Sequence, residues 1–583
     1  MRSMRKLGAA LVATGLLLAA CGGDDDTATD TTEAVAPEPD TDDTDEPDTD
    51  DTDDAAPDEP DTDDTDDTDD AAPDEPDTTD ATDDADVGDE VCTEDRIGGE
   101  LRLTSRGISR ALDPAINTIS STQLGGEGLP FYSVLMRYDI ENQEYVPHVA
   151  ESLEPNDDFS VWTLTLRDGV EFGNGDPLDA DAVVASIDYH LGEGSTSQLL
   201  FTVGLLIESY EAISEDQVEF TLPFSWAQFP AALSGDLGMM MNIAVVEERG
   251  EAFGTNPEGA GVGPYEIVDY SAPERIVFEA KDDWWGGPVC IQRLTYTFIP
   301  DLRANYDAFT QGEIDSLLIA RDPVLINQAR EEQELTLSQM YNNAWLTMPN
   351  MRDGHTTDDR VRRAMAHAID PEVVNARAWG GEGWGTKGIV HEDSITLEPT
   401  EGIPYDPDMA QQLLDEYKAE TGWDGSLTGI AADSPQANQE AALAIASMLN
   451  AVGFDVETSL LGINDLITRV FLDRNFEVVL SWGIINPEAA LYSGLRGWES
   501  DNIANQNGFA GEAYDAALVE LREAATPEEY QAALHTVQEA VNEEVPWISF
   551  GGDVSLMVFN PKVKGGIPFQ NQTFLLDQAY IEE

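Results

Sequence analysis

The stretch VWTLTLRDGVEF, residues Val161–Phe172, contains the clearest structural signal in the chain. Apolar and polar side chains alternate from Val161 to Arg167, which predicts a strand with one buried face. Asp168 and Gly169 then predict a turn. Asp179–Ile187 has helical apolar spacing, and its early aspartates suit the positive end of a helix dipole. The combination predicts a mixed α/β fold.

Outward from this stretch, strand and helix patterns alternate irregularly. Strands are predicted at Leu101–Leu103 and Phe454–Thr458. Helices are predicted at Arg360–Ile369, Asp408–Lys418 and Gln439–Ala451. The last of these helices should end at Gly453, since glycine readily adopts the backbone conformation that follows a helix.

The charge of the chain limits its partners. Its 583 residues include 116 Asp and Glu against 29 Lys and Arg, a formal net charge of −87. Such a surface repels polyanions, which excludes nucleic acid as a partner. The body after residue 91 is long enough for two or three domains with large cores, and it contains no apolar run of bilayer length.

The N-terminus predicts export and a lipid anchor. Arg2, Arg5 and Lys6 precede a short apolar segment, Leu7–Ala20, which is typical of a signal peptide. The sequence LAAC ending at Cys21 resembles a bacterial lipobox, so we expect residues 1–21 to be a lipoprotein signal and Cys21 to carry membrane lipid. The alternative is an ordinary secretory signal with a chance cysteine.

An acidic tether is predicted at 22–91. From Gly22 to Glu90 there are 34 Asp and Glu and no Lys or Arg, and the octet DAAPDEPD at Asp54–Asp61 recurs at Asp70–Asp77. This segment has too little apolar surface to offset its chain entropy, so we expect disorder. Holding the body away from the membrane is the favoured role, and weak calcium binding is the alternative.

The two remaining cysteines, Cys92 and Cys290, predict a disulfide. An exported protein folds where thiols oxidise, and this bond joins the end of the tether to the interior of the body. The alternative is a pair of free buried thiols.

Many short blocks of the body together resemble the family 5 extracellular solute-binding proteins, the receptors of oligopeptide, dipeptide and nickel ABC importers. Their order and spacing carry the resemblance. The blocks are Leu112–Ala115, Leu135–Asp139, Pro147–Ser152, Trp162–Phe172, Gly263–Tyr265, Asp283–Gly286, Gly312–Asp315, Arg360–Ala364 and Tyr405–Pro407.

The resemblance implies a fold with two lobes. It implies a two-lobe periplasmic-binding-protein-like α/β architecture of type II, with an extra inserted subdomain and a hinge between the lobes. By this resemblance lobe I comprises 92–130, 239–340 and 546–583, the inserted subdomain comprises 131–238, and lobe II comprises 341–545.

The resemblance also implies a transport role. A small solute, either a peptide or another neutral or cationic oligomer, is captured between the lobes and delivered to an ABC permease and ATPase complex. The protein is then extracytoplasmic and lipid-anchored, in the periplasm or at the cell surface. We expect no catalytic residue, no cofactor and no metal site. The alternatives are a solute-sensing surface lipoprotein, a surface enzyme, or uptake of oligosaccharide or metal chelate.

The solute-binding candidates carry over from the family by position. Peptide-binding relatives place an Asp shortly after a Trp-Gly pair, where it receives the peptide's amino terminus. This chain has Trp482 and Gly483, but Ile485 occupies the Asp position, which disfavours peptides with a free amine. Asn486 is expected to hydrogen-bond a neutral solute and Trp482 to stack on it, with core packing as the alternative for Trp482.

Three further aromatic residues are candidates for solute contact. Trp379 and Trp384 flank a glycine-rich loop in a place where relatives line the cleft, and the alternative is a surface loop packed by two tryptophans. Tyr132 matches an aromatic position near the cleft.

Overall fold

The computed structural model describes residues 92–105, 111–116, 127–139, 142, 144–192, 195, 206–271, 274–299, 301–320, 322–331, 336–391, 397–434, 436–485, 491–502, 505–569 and 573–582. The predicted signal segment, Cys21 and the acidic tether up to residue 91 lie outside them. All described residues belong to one compact unit. None of the helices within this part of the chain has the length and apolarity needed to cross a membrane.

Twenty strands are present among the described residues. They are β1 Glu100–Ser105, β2 Met136–Asp139, β3 Glu144–Pro147, β4 Ala150–Pro155, β5 Val161–Leu166, β6 Ser209–Ala212, β7 Gln217–Thr221, β8 Tyr265–Ser271, β9 Arg275–Ala280, β10 Arg293–Phe298, β11 Ser316–Ala320, β12 Thr336–Pro349, β13 Ser426–Ala432, β14 Asp455–Leu461, β15 Val478–Ile485, β16 Ile548–Phe559, β17 Val563–Lys564, β18 Ile567–Phe569, β19 Thr573–Leu575 and β20 Tyr580–Ile581.

The α-helices of the same residues are numbered in chain order. They are α1 Gly128–Tyr132, α2 Ala180–His190, α3 Ile243–Arg249, α4 Leu302–Thr310, α5 Pro323–Glu331, α6 Asp359–Ala368, α7 Pro371–Ala378, α8 Pro407–Thr421, α9 Gln436–Ala451, α10 Ile463–Ile467, α11 Leu491–Leu495, α12 Glu512–Glu523 and α13 Pro527–Glu544. Short 3-10 or π turns lie at Phe229–Ser234, Asp236–Gly238, Gly250–Thr255, His355–Thr357, Thr468–Leu472 and Arg496–Trp498.

The stretch at Val161–Phe172 folds as its pattern predicts. β5 alternates between buried and half-buried residues, with Trp162, Leu164 and Leu166 buried. Gly169 adopts a φ of 78° in the turn that follows. Asp179 caps α2, since its carboxylate accepts a hydrogen bond of 2.8 Å from the Ala182 amide. β5 lies in a separate four-stranded sheet of order β4-β5-β7-β6.

The other predicted elements are confirmed, with ends that shift by a few residues. The first predicted strand is the centre of β1, and the strand predicted after Gly453 is β14. The three predicted helices are α6, α8 and α9. Gly453 has a φ of 106°, which a residue with a side chain rarely adopts, and this explains why α9 ends just before it.

A ten-stranded mixed sheet runs through the body and supports both lobes. Its order is β14-β13-β15-β12-β16-β11-β1-β10-β9-β8. One core contains Met365, Ile445, Leu449 and Phe550, and a second core contains Leu101, Ile276, Phe278 and Phe559. Because Phe550 and Phe559 both belong to β16, this strand begins in one core and ends in the other. The mixed α/β, two-lobe fold expected from the sequence is therefore the observed one.

A buried ion cluster fixes β1 to the chain around β11. Asp315 is fully buried, and its carboxylate accepts hydrogen bonds from the Arg102 guanidinium at 2.9 Å and the Arg102 amide at 3.0 Å. The Lys562 amine lies 2.9 Å from the same carboxylate. Burial alone raises the pKa of Asp315, but the hydrogen bonds from Arg102 and Lys562 outweigh it, and the net shift is downward.

We expect Asp315→Asn to lower the free energy of unfolding by about 2–4 kcal/mol at pH 7, because two cations lose their buried partner. The carboxylate's contribution is present above its unfolded pKa of about 4 and is lost as the pH falls, so the gap between the two proteins should narrow in acid. Urea unfolding at pH 7 and pH 3.5 measures this. Asp307→Asn, which removes a solvent-exposed partner of Arg303, is the matched control and should cost less than about 0.5 kcal/mol. Equal losses in both variants contradict the assignment.

Cys92 and Cys290 are joined by a disulfide in the structure, with their Cα atoms 5.2 Å apart. The bond closes a sequence separation of 198 residues. It attaches the first described residue to the interior of lobe I, where Cys290 is fully buried.

Replacing both cysteines by serine should lower the free energy of unfolding by about 3–5 kcal/mol, because a cross-link that closes a long loop restricts the unfolded chain. The variant and the reduced wild-type protein should have the same melting temperature. Denatured, unreduced protein should take up no alkylating reagent at residues 92 and 290. Alkylation at either position shows that the thiols are free.

Candidate functional site

Two long strands connect the lobes at the centre of the large sheet. β12 and β16 pair antiparallel from Thr336 opposite Phe559 to Thr347 opposite Ile548. β12 also pairs with β15, and β16 also pairs with β11. The chain between β12 and β16 contributes β13, β14, β15 and the helices α6 to α13. These two strands therefore have the position of a hinge.

The glycine-rich loop that carries two candidate tryptophans is attached to this hinge. The Trp384 amide donates to the Gly552 carbonyl at 3.0 Å, and the Gly552 amide donates back to the Trp384 carbonyl at 2.9 Å. A Cβ atom at Gly551 would lie 1.9 Å from the Trp384 carbonyl oxygen, and the φ of Gly551 is 116°. Glycine is required here because the loop approaches the strand so closely.

A buried polar contact lies next to this attachment. The Trp345 indole N–H donates to an Asp553 carboxylate oxygen at 2.8 Å, and both residues are buried. The Trp345 ring also covers Gly483, where a Cβ atom would come within 3.2 Å of it. The Trp345 and Trp379 ring centroids are 6.3 Å apart.

These contacts define what we call the hinge cluster: Trp345, Trp379, Trp384, Gly552 and Asp553. It combines flat aromatic surface with a carboxylate and main-chain groups. All five residues are buried, so the cluster packs the glycine-rich loop against the paired strands.

The structure brings together some of the predicted site residues and separates others. Trp379 and Trp384 both belong to the hinge cluster and are buried. Trp482 is half-buried on β15, next to Gly483, with its ring centroid 5.5 Å from that of Phe471. Tyr132 is fully buried in the same core as Leu101 and Phe278, where its hydroxyl donates to the Leu112 carbonyl at 2.7 Å.

Solute contact by the predicted residues stays a prediction. For Tyr132 the described contacts are those of a packed core residue. Asn486 lies outside the described residues, as do the side-chain surroundings of Ile485.

Sequence reasoning missed Trp345 and Asp553. Neither belongs to a recognisable motif, and they come together only because β12 and β16 pair. One signal was present, since Gly551 and Gly552 are adjacent glycines inside an apolar strand pattern. Such glycines indicate a close approach by another part of the chain.

Lys387 lies at the end of the same glycine-rich loop. Its amine donates to the Ala366 carbonyl in the last turn of α6. It borders a cavity of about 20 Å³ that Asn542 and Trp547 also line. Burial lowers the pKa of Lys387 to about 7, against a smaller opposing effect of Asp370.

This shift predicts a pH-dependent stability that Lys387→Met removes. Between pH 7 and the unfolded lysine pKa of about 10.4, the unfolded chain binds a proton that the folded chain does not. The unfolding free energy of wild type relative to Lys387→Met should therefore rise from pH 7 to pH 10. Denaturant melts across this range measure it, with Lys418→Met, which removes a more exposed amine bonded to the Gly453 carbonyl, as the control. A difference independent of pH contradicts the shift.

Within the described part of the chain, no group of three or more His, Cys, Asp or Glu side chains is placed to hold a metal ion. The fold defines a class of protein, namely two-lobe α/β proteins of the periplasmic-binding-protein type.

The family follows from comparison with known sequences. The model for bacterial extracellular solute-binding proteins, family 5 (middle region), matches residues 144–502. The chain belongs to this family.

Individual relatives agree with this assignment. The chain is 26% identical over 360 residues to the dipeptide-binding protein of Escherichia coli (strain K12), covering 58% of this chain and 66% of that protein. It is 24% identical over 501 residues to heme-binding protein A of Haemophilus influenzae, covering 78% and 88%. The crystal structure of the ABC transporter substrate-binding protein CtaP from Listeria monocytogenes superposes with a TM-score of 0.68 at 20% identity, over 84% of this chain and 100% of that one.

Proposed function

We propose that this chain is the solute-binding component of an ABC importer. It captures a peptide-like or other small solute between its lobes and delivers it, unaltered, to a permease and ATPase complex. The observation that carries the proposal is the pair of hinge strands, which lets one solute contact both lobes. A solute that contacts both lobes binds the closed arrangement more tightly than the open one. This difference in affinity shifts the protein toward the closed arrangement.

We also propose that the chain is held at the membrane through lipid on Cys21, with 22–91 as a flexible spacer. A membrane-anchored receptor stays near its permease, and a strongly acidic spacer extends through mutual repulsion of its carboxylates. The lobe boundaries given above are part of the same proposal: lobe I and the inserted subdomain move as one body against lobe II.

The residue at position 485 limits the class of solute that we propose. Ile485 stands where the resemblance places the carboxylate that receives a peptide's amino terminus. A buried ammonium without a carboxylate is costly. We therefore propose that the solute presents a neutral group there, as in an N-blocked peptide or a neutral oligomer.

The test is binding by the full-length protein. Native mass spectrometry should detect a co-purified solute at a stoichiometry of about one. Calorimetry with N-acetylated and free-amine versions of the same peptides, together with oligosaccharides and haem, should show that blocked or neutral compounds bind at least as well as their free-amine partners. Much tighter binding of the free amines contradicts the proposed solute class.

A matched pair of variants tests the site. Trp482→Ala should weaken binding of the co-purified compound about tenfold or more, because a stacked aromatic residue commonly dominates such contacts. Trp423→Ala, which removes an indole stacked on His355 in lobe II, should leave affinity unchanged. Covalent conversion of the compound by the purified protein contradicts a transport role.

A further inference from the structure

The inserted subdomain touches lobe II at a place remote in sequence from the hinge strands. The Ala227 amide donates to the Arg522 carbonyl at 3.1 Å, and the Gln228 side-chain amide donates to the Ala524 carbonyl at 3.5 Å. Ala227 and Gln228 lie just before a 3-10 turn of the subdomain, and Arg522 lies in the last turn of α12. These residues are about 300 positions apart in the chain.

Aromatic contacts reinforce this junction. The Arg522 guanidinium lies over the Phe224 ring, 4.1 Å from its centroid. The ring centroids of Trp226 and Tyr492 are 6.1 Å apart. The Arg522 side chain is only 12% exposed, which strengthens its attraction to the ring because less water screens the charge.

The junction is continuous with a hydrophobic core. Buried residues of the subdomain, among them Trp226 and Phe229, belong to the same cluster as Leu495, Leu521 and Ala524 of lobe II. The subdomain is meanwhile held to lobe I by polar contacts, since the Tyr189 hydroxyl donates to Asp113 at 2.8 Å. The junction is therefore a contact between the body that contains lobe I and the body that contains lobe II.

We propose that Phe224, Trp226, Ala227 and Arg522 form a clasp that favours the closed arrangement of the two lobes. This proposal rests on the proposed solute-capture function. The clasp is the contact that regulates access to the space between the lobes. In this proposal, rotation about β12 and β16 separates these residues, so opening breaks the hydrogen bond from Ala227 and exposes Trp226 and Tyr492. The strength of the clasp thus sets how often the lobes open, and with it the rate at which a solute enters or leaves.

Hydrogen–deuterium exchange of the full-length, solute-free protein tests the clasp without reference to any solute. In wild type, the amides of 224–228 should exchange slowly, because the Ala227 N–H is bonded across the junction. Arg522→Ala and Phe224→Ala should each accelerate exchange in this peptide about tenfold and leave exchange in β16 unchanged. Arg469→Ala, which removes an exposed arginine of lobe II, should change neither peptide.

The outcomes separate the clasp from the transport proposal. Unchanged exchange at 224–228 in Phe224→Ala overturns the clasp, whatever the protein binds. If Arg522→Ala accelerates exchange in β16 as well, that variant has lost its fold. In that case Phe224→Ala, which removes only a half-buried ring, decides whether the clasp exists. Failure of every solute panel counts against the proposed function but does not affect this measurement.

Discussion

β12 and β16 pair antiparallel at the centre of the ten-stranded sheet, and this pairing is the link between its two halves. β12 pairs with β15 on one side and with β16 on the other. β16 pairs with β12 on one side and with β11 on the other. The pairing is a seam that joins the two halves into one continuous sheet. β-bulges on both strands lie near Trp345 and Gly551, where the seam passes from one core to the other.

The hinge cluster and the clasp lie on two separate connections between the same bodies. The first is covalent and includes aromatic rings and the Asp553 carboxylate. The second is non-covalent, and we propose that it breaks when the lobes open. In this proposal the clasp favours the closed arrangement, so part of the free energy of closure does not have to come from the solute.

The local elements of the fold followed from the sequence, whereas the site did not. β5, α2, α6, α8 and α9 were predictable because period-two and helical apolar patterns report which faces are buried. The capping of α2 by Asp179 and the end of α9 before Gly453 were also predictable, because each depends on the residue type at one position. The resemblance supplied the two-lobe arrangement that patterns alone left open.

The site depends on contacts between distant segments. Trp345 and Asp553 are 208 positions apart and meet only through strand register, and the loop of Trp384 is placed by a glycine on another strand. Tyr132 shows the opposite case. The resemblance places an aromatic residue near the cleft at this position, but the Tyr132 hydroxyl donates to the Leu112 carbonyl inside a packed core. No local pattern distinguishes these cases.

The central claim is that two bodies hinge about one seam when a solute binds. Spin labels at two exposed positions, Glu258 in lobe I and Asp415 in lobe II, measure it most directly as a distance distribution, independent of the acidic tether. If the two bodies hinge about this seam, stripping the co-purified solute broadens or lengthens the distribution, and returning the solute restores a single short distance. Identical distributions with and without solute would show that the bodies do not hinge.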